Sequence, residues 1–390
     1  MTAVVLSPVR AAAGLMLGAS LLLAGCSSFS TSQFNPSNWF SDKPKPATLE
    51  AFKPSIAGRQ VWTAKVGGVE FPLAVAVNGE TFTAAGTDGT VVALNAVDGR
   101  ELWRASAGER LSAGVGSDGR FTAVVTRNNH LVVMEAGSVK WRQALNSRVA
   151  TPPLVAGERV FVMGVDRAVH AFDVLDGKRI WSLQRPGDAL TLSQPGVVAA
   201  FKNTLLVGQG SRLAGLDPLN GSVRWELPLA TPRGTNEVER LADLVGPVVR
   251  HGDTVCARAF QSAVACADAE RGTLVWSKNV GGIDAIGGDD ELVYGADASD
   301  RVTAWRIATG EVAWSHERFI NRGLSGPAGF GKTVVFGDSE GYVHFLARDS
   351  GQTLLRLPTG GSPVVGTPAR SGSTLLVTTR GGGLYAFRLE

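Results

Sequence analysis

The sequence predicts an all-β protein built as an eight-bladed β-propeller of four-stranded blades. Its 48 glycines and 18 prolines separate many short Val-, Leu- and Ala-rich runs, as is typical of a chain that turns often and forms no long helix. A glycine followed four residues later by tryptophan recurs about every forty residues. Residues 59–390 divide into eight units of about 41.5 residues, a length that fits one propeller blade.

Residues 1–25 are predicted to be a lipoprotein signal peptide. A short segment ending in Arg10 precedes an apolar stretch and a small-residue end, which is the organisation of a secretion signal rather than of a membrane-spanning helix. The stretch LAGC, ending at Cys26, resembles the bacterial lipobox, and the resemblance implies cleavage before Cys26 and a lipid on its sulfur. Because Ser27 and not Asp follows, attachment to the outer membrane, facing the periplasm, is implied. The alternative is an ordinary signal peptide followed by a chance cysteine.

Residues 26–57 are predicted to be a flexible tether behind the lipidated cysteine. The segment is rich in Ser, Pro, Asn and Lys and shows no period of 2 or 3.6 residues. A flexible chain of about 30 residues has a typical span of about 30 Å, enough to carry a folded body past the lipid headgroups. The composition leaves open whether Phe34, Trp39 and Phe40 dock on that body or on a partner.

The propeller is predicted over residues 58–390. Each internal glycine of the repeat follows a short alternating strand such as VVALNAVDG, and other strands lie upstream, so one unit contains four strands. A single unit cannot bury both of its faces, so neighbouring units must stack. The recurring tryptophans are predicted to pack between adjacent blades: Trp62, Trp103, Trp141, Trp181, Trp225, Trp276 and Trp314. The last repeat has Leu355 in the tryptophan position.

The two ends of the chain are predicted to close the ring together. The last repeat stops at Glu390, where a glycine turn and a fourth strand should follow, whereas the tail of a repeat, RQVWTAKV, stands alone at residues 59–66. Pairing of this N-terminal strand with the C-terminal three removes the exposed edges of an open array.

No catalytic, cofactor-binding or metal-binding residues are predicted. The stretches GPAGFGKT (326–333) and GDSEG (337–341) match a phosphate-binding loop and a nucleophile elbow. Both motifs need a following helix, and the repeat places turns there instead. The five histidines are scattered over different repeats without ligand spacing. A formal charge of +3 without any Lys/Arg cluster excludes a nucleic-acid partner.

Cys256 and Cys266 lie ten residues apart on predicted consecutive strands of one blade. A secreted location permits a disulfide between them. Strand register decides between this bridge and two buried thiols.

Two polar insertions are candidate contact surfaces. QRPGDALTLSQPGVV follows Trp181, and ATPRGTNEVERLADL lies between Trp225 and the next strand. Lengthened loops on adjacent blades are where a propeller builds a binding surface, although neutral drift in loop length is the alternative.

A lipobox, a polar tether and eight repeats ending in G-x-x-x-W resemble the BamB family, lipoproteins of the outer-membrane β-barrel assembly machinery. In that family, loops carrying L-x-L-R and R-L-x-D-x-D contact the periplasmic POTRA region of the central assembly protein. The resemblance implies partner-binding roles for Leu190, Leu192, Arg240 and Asp243. Ser193 and Val245 replace an Arg and an Asp of the family pattern, which favours an apolar anchor over a charge pair.

The resemblance implies a non-enzymatic scaffold that binds the POTRA domains, meets other assembly lipoproteins indirectly and aids the folding and insertion of outer-membrane proteins. Unfolded outer-membrane proteins are further candidate partners, through β-augmentation on propeller edges. The first alternative is a quinone-cofactor (PQQ-type) dehydrogenase, because those enzymes share the tryptophan repeat. This chain lacks their adjacent cysteine pair and a recognisable set of calcium-binding acids. A ligand-binding periplasmic propeller is the second alternative.

Overall fold

The computed structural model describes residues 44–70, 74–185 and 190–390, and over these ranges the chain is all β. In this part of the chain, thirty-two strands form eight four-stranded antiparallel sheets, so the predicted eight-bladed propeller is confirmed. No helix within these ranges is long and apolar enough to cross a membrane. The predicted signal peptide and Cys26 lie outside the described residues, as do Phe34, Trp39 and Phe40.

The blades follow one another along the chain, and each runs from an inner first strand to an outer fourth strand. Blades 1 to 4 contain β2 (Ala76–Asn78), β3 (Thr81–Ala85), β4 (Thr90–Asn95), β5 (Glu101–Ser106); β6 (Gly116–Ser117), β7 (Phe121–Val125), β8 (His130–Glu135), β9 (Ser138–Ala144); β10 (Leu154–Ala156), β11 (Arg159–Met163), β12 (Val169–Asp173), β13 (Arg179–Leu183); and β14 (Val198–Phe201), β15 (Thr204–Gln209), β16 (Arg212–Leu216), β17 (Val223–Pro228). Blades 5 to 8 contain β18 (Leu244–His251), β19 (Thr254–Ala259), β20 (Ala263–Asp268), β21 (Thr273–Lys278); β22 (Gly287–Gly288), β23 (Leu292–Ala296), β24 (Val302–Arg306), β25 (Val312–His316); β26 (Ala328–Phe330), β27 (Thr333–Gly337), β28 (Tyr342–Ala347), β29 (Thr353–Pro358); and β30 (Val364–Ser371), β31 (Thr374–Thr379), β32 (Gly383–Leu389), with β1 (Gly58–Lys65) as fourth strand.

The N-terminal strand closes the ring, as predicted. β1 pairs antiparallel with β32, from Gly58 opposite Leu389 to Lys65 opposite Gly383. The amide of Glu390 also donates to the carbonyl of Ala57 at 3.0 Å. The first and last strands therefore share one sheet, and β1 covers the edge of β32 that the unfinished last repeat would leave exposed.

The alternation of strands gives the propeller two faces, which we call upper and lower. Connections from the fourth strand of one blade to the first strand of the next lie on the upper face, together with the turns between second and third strands. The other turns of each blade lie on the lower face. This assignment follows from the antiparallel order of all eight sheets.

The glycine and tryptophan of successive repeats meet at the blade junctions. A Cβ built on Gly310 would lie 2.6 Å from the ring of Trp276, so only glycine lets the indole lie against the backbone there. The same pairing joins Trp62 to Gly99, Trp103 to Gly137, Trp141 to Gly177, Trp181 to Gly221, Trp225 to Gly272 and Trp314 to Gly351. The eighth junction pairs Leu355 with Gly58 and completes the circle.

Several indoles are also held by hydrogen bonds across these junctions. The Nε1 groups of Trp62, Trp141, Trp181, Trp276 and Trp314 donate to backbone carbonyls of the following blade at 2.6–3.1 Å. Each of these side chains therefore packs its apolar body against one blade and satisfies its only polar atom on that same blade.

Residues 45–57, which belong to the predicted tether, lie along blade 7. Leu49 packs on an apolar cluster of blades 6 and 7, and Ile56 packs on a cluster of blades 7 and 8. The amides of Ala47 and Ser55 donate to Ile320 and Leu354 at 2.9 and 3.0 Å. We call residues 45–57 the strap.

Candidate functional site

The four sequence-predicted partner-binding residues lie on the upper face. Leu190 and Leu192 belong to the connection from β13 to β14, and Arg240 and Asp243 belong to the connection from β17 to β18. Because both connections join a fourth strand to the next first strand, they emerge on the same face, at blades 3 to 5. The loop that contains Arg240 is exposed throughout residues 231–240.

Asp243 ties the two connections together. Its Oδ2 accepts the backbone N–H of Leu192 at 2.8 Å, and its Oδ1 lies 3.2 Å from Nη2 of Arg167. The carboxylate is mostly shielded from solvent, with a side-chain exposure of 17%. Since both oxygens are bonded within the chain, Asp243 shapes the surface rather than offering a free charge to a partner.

Arg167 is a third member of this arrangement that the sequence analysis missed. It sits in the turn between β11 and β12 with φ of 62°, and its Nη2 also lies 3.4 Å from the carbonyl of Leu190. Its own carbonyl accepts the side-chain N–H of Gln209 at 3.2 Å. One guanidinium therefore links blade 3 to both connections. No local sequence pattern could reveal a pair separated by 76 residues.

The surface around these contacts offers both apolar and charged groups. Leu190 and Leu192 are half-buried, whereas Arg240 and Ser193 are exposed. Val238, in the same loop as Arg240, is 69% exposed and was not singled out from sequence. Half-buried leucines beside exposed polar residues form the arrangement expected of a protein-binding surface.

Val245 does not belong to that surface. It is buried and lines both a cavity of about 40 Å³ beside Leu192 and the larger central cavity. The position at which the family pattern has an acid is here turned inward and apolar.

The central cavity of the ring has a volume of about 320 Å³ and a mostly apolar lining of Ala, Val, Pro and Gly. Among the described residues that line it, Asp284 is the only titratable one, and burial raises its pKa to about 6, with Arg258 opposing the shift. No cluster of three His, Cys, Asp or Glu side chains suited to a metal occurs among the residues that the structure describes. This lining does not fit a polar quinone with its calcium ion.

The two cysteines named from sequence lie away from that cavity. Cys256 and Cys266 are direct partners on β19 and β20, and both are buried. The structure joins them in a disulfide. They lie on two different strands, unlike the two consecutive cysteines of the quinone-cofactor dehydrogenases.

The two motif matches lie in hairpins. Residues 326–333 run through β26 and the turn into β27, and Ser339 sits in the turn between β27 and β28. The hydroxyl of Ser339 donates to the carbonyl of Arg322 at 2.6 Å. Neither segment starts a helix, so neither supplies the helix N-terminus that its motif requires.

These features define a class of protein, namely a tryptophan-docked eight-bladed propeller with its candidate binding loops on one face. A family model described as "Outer membrane protein assembly factor BamB" matches residues 47–111 and 87–316. The chain belongs to this family.

Curated relatives support the assignment over almost the whole chain. The BamB of Bordetella pertussis is 37% identical over 98% of both chains. The BamB of Burkholderia pseudomallei is 35% identical over 88% of this chain and 91% of its own, and that of Escherichia coli is 25% identical over 94% and 95%. These relatives are named as assembly factors, which supports the prediction of a protein without enzymatic activity.

Solved structures agree on the fold. The crystal structure of BamB from Moraxella catarrhalis covers 85% of this chain and 100% of its own, with a TM-score of 0.76 and 22% identity. A quinohemoprotein alcohol dehydrogenase from Comamonas testosteroni covers 85% and 76%, with a TM-score of 0.63 and 16% identity. The likeness to the dehydrogenase extends to the propeller architecture alone.

Proposed function

We propose that this protein is a non-enzymatic assembly factor for outer-membrane proteins, which binds the periplasmic POTRA region of the central assembly protein. The observation that carries the proposal is the joining of two upper-face connections through Asp243, on a chain of the BamB family. Leu190 and Leu192 supply the apolar anchor, and Arg240 supplies a charge at the rim. Lipid attachment at Cys26 holds the propeller at the outer membrane, facing the periplasm, and brings it close to the other assembly lipoproteins.

Calorimetry of residues 27–390 with purified POTRA domains tests the proposal. Leu192→Glu places a charge in the apolar anchor and should weaken binding by at least about tenfold, as expected of a hot spot. Asp243→Arg places a second guanidinium beside that of Arg167. The repulsion should separate the two upper-face connections and weaken binding as strongly as Leu192→Glu does. Arg240→Ala should have a smaller effect, because an exposed rim charge changes mainly the association rate.

Leu219→Glu is the matched control. Leu219 is 60% exposed and lies in a lower-face turn between β16 and β17, so the same change should leave the affinity unaltered. Absence of saturable binding by folded wild type would overturn the proposal. Equal losses of affinity in Leu192→Glu and Leu219→Glu would show that the binding site is not on the upper face.

A second candidate function is the binding of unfolded outer-membrane proteins along the outer strands. Fourth strands carry exposed apolar side chains, including Ile180 at 43% and Val312 at 57%, and an extended segment adds to such an edge by backbone hydrogen bonds. A photo-crosslinker at residue 180 should trap client chains in cells, and one at residue 220, in a lower-face turn, should not. Equal trapping at both positions would count against strand addition.

A further inference from the structure

The strap is an extended segment with one face turned toward blade 7. Ala47, Leu49, Phe52 and Ile56 are half-buried, and most of the residues between them are exposed. This alternation places the apolar side chains of residues 49 and 56 in two separate clusters of the propeller core. Backbone hydrogen bonds at both ends of the strap fix its register on the propeller.

The upper end of the strap is held by a buried charged group. Arg322 is only 2% exposed, and its Nη1 donates to the carbonyl of Ala47 at 2.8 Å. Its Nε and Nη2 donate to Oδ2 of Asp338 at 2.9 and 2.7 Å, and it also pairs with Glu340. Because Asp338 is fully buried, the guanidinium is held in one orientation, with Nη1 left to donate to the strap.

A second arginine holds the middle of the strap. The guanidinium of Arg356 lies 5.0 Å from the ring centroid of Phe52 and within 3.4 Å of the carbonyl of Glu50. Its Nε donates to Nδ1 of His344 at 3.4 Å, and Nε2 of that ring donates to Asp338 at 2.8 Å. The two strap-binding arginines are thus joined through one buried acid and one buried histidine.

The electrostatics of this network follow from its contacts. Burial raises the pKa of Asp338, but hydrogen bonds from His344 and Arg322 outweigh it and hold the pKa below its usual range. Burial lowers the pKa of His344, opposed by Asp338. The network therefore contains an ionised acid, a neutral imidazole and two cations near neutral pH.

The direction of the strap follows from its contacts with blade 7. Ala47 bonds to the connection from β25 to β26, which lies on the upper face. Ser55 bonds to Leu354 near the start of β29, which follows a lower-face turn. The strap therefore begins on the upper face and ends on the lower face, where β1 starts at Gly58.

We propose that the strap is an attachment device, which fixes the junction between the N-terminal lipid-bearing segment and the propeller on the upper face. This is the face that carries the candidate partner loops. With the strap docked, residues 27–44 form the link to the lipid. With the strap released, the link lengthens to residue 57 and joins the lower face. The orienting effect rests on the proposed lipid at Cys26, whereas the docking of the strap does not.

Hydrogen exchange on residues 27–390 tests the docking itself. The amides of Ala47 and Ser55 should exchange far more slowly than in an unfolded peptide. Leu49→Asp should speed exchange at both by at least about tenfold, because a packed leucine is replaced by a charge. Thr48→Asp adds the same charge at an exposed neighbour and should leave both rates unchanged. Wild-type amides that exchange at peptide rates would overturn the proposal, as would equal effects of the two variants.

Fluorescence energy transfer on the lipidated chain tests the orientation. The protein is bound to phosphatidylethanolamine/phosphatidylglycerol vesicles that contain an acceptor lipid, with a donor on Asn128→Cys (upper face) or Asn220→Cys (lower face). Both positions are exposed turn residues. The upper-face donor should transfer more strongly, and Leu49→Asp should remove or reverse the difference.

The outcomes separate this proposal from the proposed function. Equal transfer from the two faces in vesicle-bound wild type would overturn the orienting role, and so would an unchanged difference in Leu49→Asp. Failure of the chain to stay on vesicles would overturn both the lipid anchor and the orienting role. Calorimetry with POTRA domains should be unaffected by Leu49→Asp, because the lipid-free chain needs no orientation to bind.

Discussion

Seven blade junctions differ from the eighth in the side chain that packs over the glycine of the next blade. At seven junctions a tryptophan of the repeat packs over the glycine of the next blade, as Trp276 does over Gly310. At the eighth, the smaller Leu355 packs over Gly58, and Ile56 of the strap joins the same apolar cluster. The comparison teaches that the strap supplies part of the apolar packing at the junction that lacks an indole, and that it adds a second apolar side chain, Leu49, at the neighbouring Trp314 junction.

The two kinds of junction also differ in their polar contacts. The indole N–H of Trp276 is satisfied by one hydrogen bond, to the carbonyl of Ile307 at 2.6 Å. Blade 7, which lacks the indole, instead carries the charged network that holds the strap. The stability of blade 7 should therefore depend on substitutions and on pH changes that do not affect the tryptophan junctions.

The largest effect is expected at a tryptophan junction. Trp276 is only 7% exposed, so Trp276→Ala should destabilise the protein by about 3–5 kcal/mol through lost burial and a cavity. Thermal melting of the variant should shift clearly downward, and Trp181→Ala should shift in the same direction. A melting curve identical to that of wild type would show that the indole does not hold the blades together.

The glycine side of the same junction gives the next largest effect. Gly310 has φ of 69°, and a Cβ there would lie 2.6 Å from Trp276, so Gly310→Ala should cost about 2–4 kcal/mol through strain and overpacking. Gly331 has φ of 61° with nothing within 4 Å of a Cβ. Gly331→Ala therefore isolates the backbone strain, at about 1 kcal/mol. Equal melting shifts in the two variants would mean that the contact with the indole has no role.

The fold was predictable because the sequence repeat marks the boundaries of the blades. Each Gly-Trp pair marks one junction, and the incomplete last repeat together with the isolated first strand indicates the closure through β1 and β32. The strap was not predictable, because a single extended segment with a few inward side chains has no repeat to compare and reads as a polar tether.

The candidate site was predictable only in position. Loop length and family resemblance indicate the two connections, but the bonds of Asp243 to Arg167 and to the amide of Leu192 join residues 76 and 51 positions apart. Such pairs depend on how blades come together in three dimensions, which no local pattern contains. For the same reason, the sequence could not reveal that Val245 faces inward.

The leucine junction should show a smaller loss that depends on the strap. Leu355 is 5% exposed, and Leu355→Ala should cost about 2–3 kcal/mol. Combined with Ile56→Ala, the two losses should deviate from additivity by about 0.5–1 kcal/mol, because both side chains belong to one cluster. Leu274→Ala, on an exposed position of β21, is the control and should shift melting little. If the losses of Leu355→Ala and Ile56→Ala were strictly additive, the strap would not contribute to the stability of the leucine junction.

The smallest effect is the part of the pH dependence of stability that comes from the network beside the leucine junction. The pKa of His344 is lowered by burial in the folded state, so between that pKa and the ordinary value of 6.5 the unfolded chain binds a proton that the folded chain does not. Stability contributed by the neutral ring is therefore present above about pH 6.5 and is lost as the pH falls, with a slope below about 1.4 kcal/mol per pH unit.

His344→Asn should flatten this part of the pH profile of thermal melting between pH 7.5 and 5. The same change at the exposed His251 should leave the profile intact. The Trp276 junction contains no ionisable partner for its indole, so Trp276→Ala should lower melting at every pH while keeping the wild-type slope. A slope that survives in His344→Asn would place the titrating group elsewhere and would remove the pH response from the list of differences between the two kinds of junction.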